Sequence, residues 1–226
     1  QQELSPDSPC GEDLEYDPEF GELERSAIGK EEQQIGDTVV DAAEPEWKVV
    51  KKLSLSLLSR TKDLRVISHL MRASLSIDGI AGFRDCLELM RNLLENQWAS
   101  IHPILDEDDG DPTMRVNALL ALSDEKTMLR PLRMMSLVRS RAFGSYNYRD
   151  LAIAAGEMAA NDNESPADSA TINAAIMDAD VDELQVTANA VIASLEHVKA
   201  IDNLLTQQLA AGDAPNFSEL IQLLVN

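Results

Sequence analysis

Six apolar side chains at helical spacing constrain the fold of this chain more than any other feature of its sequence. They are Ile80, Phe83, Leu87, Met90, Leu94 and Trp98, each three or four residues after the last. This spacing puts all six on one face of an α-helix, and so apolar a face must be buried against other elements. Asp78-Gly79, just before the stripe, ends an earlier helical pattern, and such a short connection predicts an antiparallel neighbour.

Further helical patterns predict a mainly α protein built as a multi-helix antiparallel array. Residues 47–160 are expected to form the helical core, and the acidic helices of residues 161–226 are expected to belong to the same domain. The helical period fails near residues 134–148, where two β-prone runs flank a glycine-bearing turn. One short β-hairpin is therefore predicted there.

The opening segment, residues 1–46, is predicted to be an extended acidic strap and loop packed on the body. Two X-Pro bonds bias the residues before them to extended geometry. Leu14, Tyr16 and Phe20 supply apolar groups with which this strap could dock. Beyond Glu22 the sequence is polar and weakly periodic, which predicts a loop with at most one short helix.

The formal charge of −21 is unevenly distributed along the chain. Residues 1–46 hold 15 acidic and 2 basic side chains, residues 47–149 hold 12 and 16, and residues 150–226 hold 13 and 1. Acidic flanks argue against nucleic acid and against an anionic membrane as partners, because both require a cationic protein surface. The acidity could keep the protein in solution, pair with the basic middle, or meet a basic partner.

Cysteine usage and hydropathy predict a cytoplasmic protein without direct membrane insertion. Cys10 and Cys86 lie far apart and outside any CxxC motif, which favours reduced thiols. No apolar run approaches the roughly 20 residues of a membrane span, and no secretory signal pattern opens the chain. Because the sequence starts at Gln1 and stops at Asn226 within an apolar pattern, it is expected to be a fragment of a longer polypeptide.

Motifs of catalysis and metal binding are not evident in the sequence. The acidic loop 106–111 cannot be aligned with an EF-hand, because the glutamate position of that motif would fall on Val116. The three histidines lie in separate segments without a second ligand at metal-binding spacing. No nucleophile elbow, P-loop or dinucleotide fingerprint occurs. We therefore expect a non-enzymatic protein with no catalytic residue, no cofactor and no metal.

Five arginines lie within 20 residues around the predicted hairpin, and we call them the five-arginine cluster. They are Arg130, Arg133, Arg139, Arg141 and Arg149. Arginine forms bidentate pairs with carboxylates and is suited to interfaces. Two interpretations are open: the cluster meets the acidic N-terminal block of the same chain, which is favoured, or it meets an external acidic partner.

The candidate protein-binding residues are Arg139, Arg141 and Arg149, together with Glu46 and Trp47 at the start of the first core helix. If the arginines serve only an interface, replacing them should leave the fold intact and weaken the binding of a partner. Trp47 has a stronger competing interpretation, because a tryptophan at helical spacing usually fills the core.

Several motifs, taken in their order, resemble the N-terminal domain of the ImpA/TssA family of bacterial type VI secretion systems. They are Pro9-Cys10-Gly11-Glu12-Asp13-Leu14, Tyr16-Asp17-Pro18, Glu46-Trp47, Arg60-Thr61-Lys62-Asp63-Leu64-Arg65, the block from Gly82-Phe83 through Trp98 to His102-Pro103, Asp111-Pro112-Thr113-Met114-Arg115-Val116-Asn117-Ala118-Leu119, and Phe143-Gly144-Ser145-Tyr146-Asn147-Tyr148-Arg149-Asp150-Leu151. The resemblance covers residues 5–155 well and the acidic C-terminal third loosely.

The resemblance implies a bacterial, cytoplasmic assembly factor that binds baseplate, tube, sheath or membrane-complex components. TssA-like proteins form homo-oligomers through a separate C-terminal region, which is expected to be absent from this chain. A purely structural arm that orients that region is the alternative. An unrecognised metal-dependent hydrolase is the least favoured interpretation.

Overall fold

The computed structural model describes residues 4–5, 8–29, 33–35, 38–40, 43–106, 108–161, 165–210 and 212–226. Within these residues it has nine α-helices and two pairs of antiparallel strands. The helices are α1 (Pro18–Ser26), α2 (Trp47–Leu58), α3 (Leu64–Gln97), α4 (Thr113–Leu120), α5 (Arg130–Met134), α6 (Tyr148–Ala154), α7 (Ser169–Asp178), α8 (Val181–Gln208) and α9 (Ser218–Val225). The strands are β1 (Gln33–Ile35), β2 (Thr38–Val40), β3 (Ser136–Ser140) and β4 (Gly144–Asn147).

The predicted mainly α class with a hairpin near residues 134–148 is confirmed. Strands β3 and β4 form that hairpin, with Ser140 opposite Gly144 at its turn and Val138 opposite Tyr146. A 3₁₀ turn (Ala121–Ser123) and a π-helical turn (Glu125–Leu129) join α4 to α5. The hairpin therefore follows directly on a short, irregular helical stretch.

Helix α3 is a helical hairpin that reverses at Gly79. This residue has φ 66° and ψ −149°, a conformation that glycine adopts far more readily than other residues. Because the chain turns back, a Cβ placed on Gly82 would lie 2.7 Å from the carbonyl oxygen of Ser74 on the other arm. The two arms, residues 64–78 and 80–97, form the antiparallel pair that the Asp78-Gly79 connection predicts.

One cluster of buried apolar side chains joins this hairpin to α1, α2, α4, α8 and α9. The predicted stripe lies within it: five of its six side chains are buried, and Trp98 is half-buried against the cluster. Burying a side chain of this size contributes about 1.5–3 kcal/mol. Helix α8 adds Val198, Ile201 and Leu205 to the same cluster, and α9 adds Leu220. The division of the chain at residues 46 and 160 remains a prediction.

The predicted extended strap contains a helix, α1, which begins at Pro18, ahead of the stretch beyond Glu22 in which at most one short helix was expected. Asp17 is the N-cap, because its carboxylate accepts a hydrogen bond from the Glu19 N–H at 2.8 Å. Pro18 suits the first helical position, where its missing N–H has no intrahelical role. The buried face of α1 consists of Phe20 and Leu23. Two side chains are too few to produce a recognisable helical period.

The three residues predicted to dock the opening segment differ in their burial. Phe20 is fully buried and Leu14 packs partly buried against the core. Tyr16 is 96 % exposed, so the prediction that it docks is wrong. Beyond α1 the predicted loop holds the three-residue strands β1 and β2, which pair antiparallel.

Candidate protein-binding surface

The acidic opening segment is held by two arginines that flank the start of α3. Arg60 donates from Nη1 to Asp17 Oδ2 at 2.8 Å and from Nη2 to Glu19 Oε2 at 2.6 Å. Arg65 donates from Nη1 to Glu15 Oε2 at 2.7 Å and from Nη2 to Asp13 Oδ1 at 2.9 Å. We call these two arginines and their four carboxylates the clasp.

The five-arginine cluster makes other contacts. Arg133 forms two ion pairs, with Glu125 at 2.6 Å and with Glu219 at 2.7 Å. Neither carboxylate lies in residues 1–46, so these two pairs do not hold the N-terminal block. The favoured interpretation, in which the cluster meets that block, stays a prediction for the other four arginines. Spacing along the sequence could not distinguish the two groups of arginines, because ion pairs form between residues distant in the chain.

Arg65 is the more buried of the two clasp arginines. Its guanidinium lies over the Phe20 ring, 5.1 Å from the ring centroid. It also donates to the fully buried carboxylate of Asp63, which in turn accepts the Arg65 backbone N–H and so caps α3. Burial alone would lower the pKa of Arg65, but the neighbouring carboxylates outweigh it and raise that pKa.

Three chain segments that carry the family-like motifs meet beside the clasp. The Lys62 N–H donates to the Cys10 carbonyl at 2.7 Å, and the His102 N–H donates to the Lys62 carbonyl at 3.0 Å. His102 Nε2 lies 3.0 Å from the Gly11 carbonyl oxygen. The Cys10 thiol donates to Gln97 Oε1 at 2.8 Å. These motif residues therefore fasten the opening segment to both ends of the α3 hairpin.

Arg115 on α4 is fully buried and holds the C-terminal end of α3. It donates from Nε to the Pro103 carbonyl at 3.0 Å, from Nη1 to that of Trp98 at 2.6 Å and from Nη2 to that of Ile101 at 2.7 Å. Its guanidinium also stacks over the Trp98 ring at 4.6 Å. Burial lowers the pKa of Arg115 to about 10, so the group remains charged at neutral pH.

A groove beside α5 brings together several of the predicted binding residues, and we call it the arginine groove. Its volume is about 660 Å³. The lining side chains on which its chemistry depends are Glu44, Trp47, Arg72, Lys126, Arg130, Pro131, Met134, Met135 and Arg139. Four of these are cations and one is a carboxylate. The groove is thus locally basic on a chain whose net charge is −21.

A second depression, of about 530 Å³, adjoins the arginine groove. Arg133, Arg149 and Met158 help to line it. Arg130 and Met134 line both depressions, so together they form one continuous surface around α5. Arg149 lies partly buried there, with Nη1 3.1 Å from the Met158 sulfur.

The predicted binding residues are only partly brought together. Trp47 and Arg139 both line the arginine groove, and Glu46 is exposed next to Trp47 as the N-cap of α2. Arg149 lies in the adjoining depression. Arg141 is exposed in the turn between β3 and β4 and lines neither depression. There its positive charge helps to lower the pKa of Asp178, which is lowered chiefly by a hydrogen bond from Ser140.

Trp47 and Arg72 couple the groove to the core. Trp47 is half-buried against the core cluster, and the Arg72 guanidinium lies 5.4 Å from the centroid of its ring. Arg72 donates from Nη2 to the Ala27 carbonyl at 3.1 Å, whereas its Nε is buried without a hydrogen-bond partner in the described structure. Burial lowers the pKa of Arg72, against the opposing charge of Asp124. Trp47 therefore both fills the core edge and lines the groove.

A further feature of the molecule is the placement of the histidine, cysteine, aspartate and glutamate side chains outside the groove. Among the residues that the structure describes, no group of three or more histidine, cysteine, aspartate or glutamate side chains is placed to hold a metal ion. Cys10 and Cys86 are buried free thiols, and burial raises the pKa of both. No described helix is both long and apolar enough to cross a membrane.

Comparison with known proteins identifies the family to which the chain belongs. The model of the family described as "ImpA, N-terminal, type VI secretion system" matches residues 1–124. The chain belongs to this family. The resemblance carried by the motifs is thereby confirmed.

Two relatives of this ImpA N-terminal chain match it beyond residue 124 as well. The type VI secretion system component TssA1 of Pseudomonas aeruginosa is 43 % identical over 223 residues. The alignment covers 98 % of this chain and 64 % of that protein. The N-terminal domain of the TssA component from Burkholderia cenocepacia superposes with a TM-score of 0.76, covering 99 % of this chain and 87 % of that one. Its sequence identity is 22 %, so this match supports the fold alone.

The arginine groove lies across the end of the ImpA N-terminal match. Trp47 and Arg72 come from the matched residues, whereas Lys126, Arg130 and Arg139 follow residue 124. The sequence indicated the groove only in part, through Trp47 and Arg139. Lys126 and Arg72 were missed, because nothing local to either residue shows that the fold brings them beside α5.

Proposed function

We propose that this chain is a non-enzymatic assembly module of a bacterial type VI secretion system, acting in the cytoplasm. It binds other components of that machine, from the baseplate, tube, sheath or membrane complex. The observation that carries the proposal is the 43 % identity to a type VI secretion component across 98 % of this chain, together with membership of the ImpA N-terminal family. We further propose that the full-length protein forms homo-oligomers through a region outside these residues.

The docking surface in this proposal is the arginine groove with its continuation past α5. It includes Trp47, Arg139 and Arg149, with the exposed Glu46 next to Trp47. Arg141, in the turn that follows the strand of Arg139, is proposed as a further contact of the partner. Arg139 and Arg141 are exposed, and the described ion pairs of the protein do not involve them. A cationic, partly apolar depression has the composition that protein interfaces favour, since arginine, tryptophan and methionine are enriched in their cores.

A binding screen against purified secretion components tests the proposal. We expect the chain to capture at least one baseplate, tube, sheath or membrane-complex protein, and the double variant Arg139→Glu, Arg141→Glu to capture it less well while remaining folded. Lys199→Glu, an exposed change on α8, adds half as much negative charge, so the loss of capture is compared per substituted cation. Failure of the folded wild-type chain to capture any component would contradict the proposal.

A structural arm is the second candidate function, and the continuous core favours it. Buried side chains from Phe20 on α1 to Leu224 on α9 belong to one cluster, as expected of a rigid spacer. In that case, deleting residues 1–226 from the full-length protein should abolish assembly of the secretion machine, whereas reversing charges around the arginine groove should not affect it.

A further inference from the structure

We propose that the arginine groove binds an extended acidic peptide segment of a partner protein, anchored by one apolar side chain. The inference rests on the proposed function, because it specifies the chemistry of the segment that the docking surface recognises. It is carried by charge complementarity, by the apolar part of the lining and by an arginine of the groove, Arg72, that has no ion pair among the described residues.

Charge is the first reason. Arg72, Lys126, Arg130 and Arg139 line the groove, and among the described lining residues Glu44 supplies the one carboxylate. The chain as a whole carries −21. A long polyanion such as nucleic acid, or an anionic membrane, would extend beyond the groove and meet this overall negative charge. A short acidic segment stays near the four cations, within the screening length of roughly 8–10 Å at physiological salt.

The apolar lining is the second reason. Trp47, Pro131 and Met134 line the same groove as the cations, and Met134 is 53 % exposed. Tryptophan is enriched among the residues that dominate binding energy, and methionine adapts its shape to an incoming side chain. Inorganic phosphate or a free carboxylate would leave this surface uncovered. A peptide with an aromatic or aliphatic side chain between its acids would cover it.

Arg72 supplies the third reason. Its guanidinium lies 5.4 Å from the centroid of the Trp47 ring, and both side chains line the groove. Its Nη2 donates to the Ala27 carbonyl, and among the described residues no carboxylate forms an ion pair with it. Because a carboxylate is the strongest acceptor for a guanidinium, an acidic side chain in the groove would supply the ion pair that this arginine lacks there.

The size of the groove is consistent with such a segment. Its volume of about 660 Å³ lies within the range of about 300–1,000 Å³ that is typical of binding pockets. The site can therefore hold a short segment rather than a folded domain. The rest of the partner would remain outside the groove.

Fluorescence anisotropy with a defined probe tests the inference. The probe is a fluorescein-labelled peptide of alternating glutamate and serine with one central phenylalanine. Its controls are the same peptide with serine in place of phenylalanine, a lysine-for-glutamate version, and a labelled oligothymidylate. We expect the first peptide to bind, the serine peptide to bind about tenfold more weakly, and the lysine peptide not to bind.

Two matched variants separate the groove from general electrostatics. Arg139→Glu changes the net charge by the same amount as Lys199→Glu, and both side chains are exposed, so neither variant should unfold. We expect Arg139→Glu to raise the Kd of the peptide about fivefold to tenfold and Lys199→Glu to change it less than about twofold. Arg130→Glu, at a second exposed position in the groove, should act like Arg139→Glu.

Several outcomes would overturn the inference. Equal weakening by Arg139→Glu and Lys199→Glu would show that only overall charge matters. Oligothymidylate binding as tightly as the peptide would indicate a nucleic-acid surface instead. Displacement of the peptide by inorganic phosphate at similar concentrations would indicate a simple anion site.

The outcome also distinguishes this inference from the proposed function. If the chain captures a secretion component and Arg139→Glu captures it equally well, the function stands and the peptide groove is wrong. If the peptide binds as expected and no secretion component is captured, the groove stands and the proposed function fails.

Discussion

Arg115 shows how the donors of a buried guanidinium can be paired. Its guanidinium finds three backbone carbonyls and the face of Trp98, so its donors are largely satisfied although the residue is 1 % exposed. Those carbonyls lie where α3 has ended and the chain turns towards α4. The last carbonyls of a helix lack intrahelical partners, and a forked donor can serve several of them at once.

Replacing Arg115 tests this role. Arg115→Met keeps much of the volume but leaves three buried carbonyls unpaired, and we expect the free energy of unfolding to fall by about 3–5 kcal/mol. Arg115→Lys should recover part of the loss, because an ammonium keeps the charge but cannot fork between carbonyls. Urea unfolding followed by far-UV circular dichroism measures both. A loss below about 1 kcal/mol in Arg115→Met would contradict the assignment.

His69 predicts a pH dependence of stability. The pKa of His69 is lowered to about 4, chiefly by burial, with a contribution from the positive charge of Arg72 and an opposing one from Asp63. The pKa of an unfolded histidine is about 6.5, so between about pH 6.5 and about pH 4 the unfolded state binds a proton that the folded state does not. Stability should therefore fall as the pH falls through this window, by about 2–3 kcal/mol.

The variant His69→Gln isolates that contribution. Urea midpoints of the wild-type chain should drop between about pH 6.5 and about pH 4.5, and those of His69→Gln should drop less. The remaining slope is expected to include His197, whose pKa burial also lowers. Equal slopes in both proteins would exclude His69 as the source.

At the level of elements, the two arginines of the clasp form ion pairs of similar geometry that are expected to differ in their contribution to the free energy of unfolding. Arg60 pairs with Asp17 and Glu19 at the surface, where exposed ion pairs contribute about 0–1 kcal/mol. Arg65 also neutralises Asp63, whose carboxylate is fully buried at the start of α3. A buried carboxylate that loses its partner is far more costly than an exposed one.

We therefore expect the two clasp variants to differ. Arg60→Met should lower the free energy of unfolding by at most about 1 kcal/mol, whereas Arg65→Met should lower it by about 3 kcal/mol. Each removes one positive charge, so each controls for the other. Urea midpoints compared at low and high salt provide the measurement. Comparable losses in the two variants would mean that burial of Asp63 is not what distinguishes them.

The elements that the sequence could predict are those whose signal is local. The stripe from Ile80 to Trp98 and the break at Gly79 lie within one continuous segment, and both are present in the α3 hairpin. The hairpin of β3 and β4 was predictable for the same reason. Helix α1 was not, because only Phe20 and Leu23 mark its buried face. Arg72 and Lys126 in the arginine groove could not be predicted either, because the groove forms where elements that are distant in the sequence come together.

At the scale of the whole molecule, the C-terminal helices α8 and α9 pack in the same core cluster as the N-terminal helices. Val198, Ile201 and Leu205 on α8 lie in the same buried cluster as Phe83 and Leu87 on α3. A continuous core of this kind is expected to unfold cooperatively. Neither the N-terminal nor the C-terminal helices can leave it without exposing apolar side chains of the other group. The prediction that residues 161–226 belong to one domain with the core can therefore be tested by unfolding.

The two tryptophans make that test direct. Trp47 and Trp98 both lie in the N-terminal half, whereas far-UV circular dichroism also reports on the 28 residues of α8. If residues 161–226 are part of the same domain, urea transitions followed by tryptophan fluorescence and by circular dichroism should coincide. Val198→Ala, which opens a cavity on α8, should shift both curves equally, by about 1–3 kcal/mol. A circular dichroism transition with a second step that fluorescence does not follow would mean that the C-terminal helices unfold on their own.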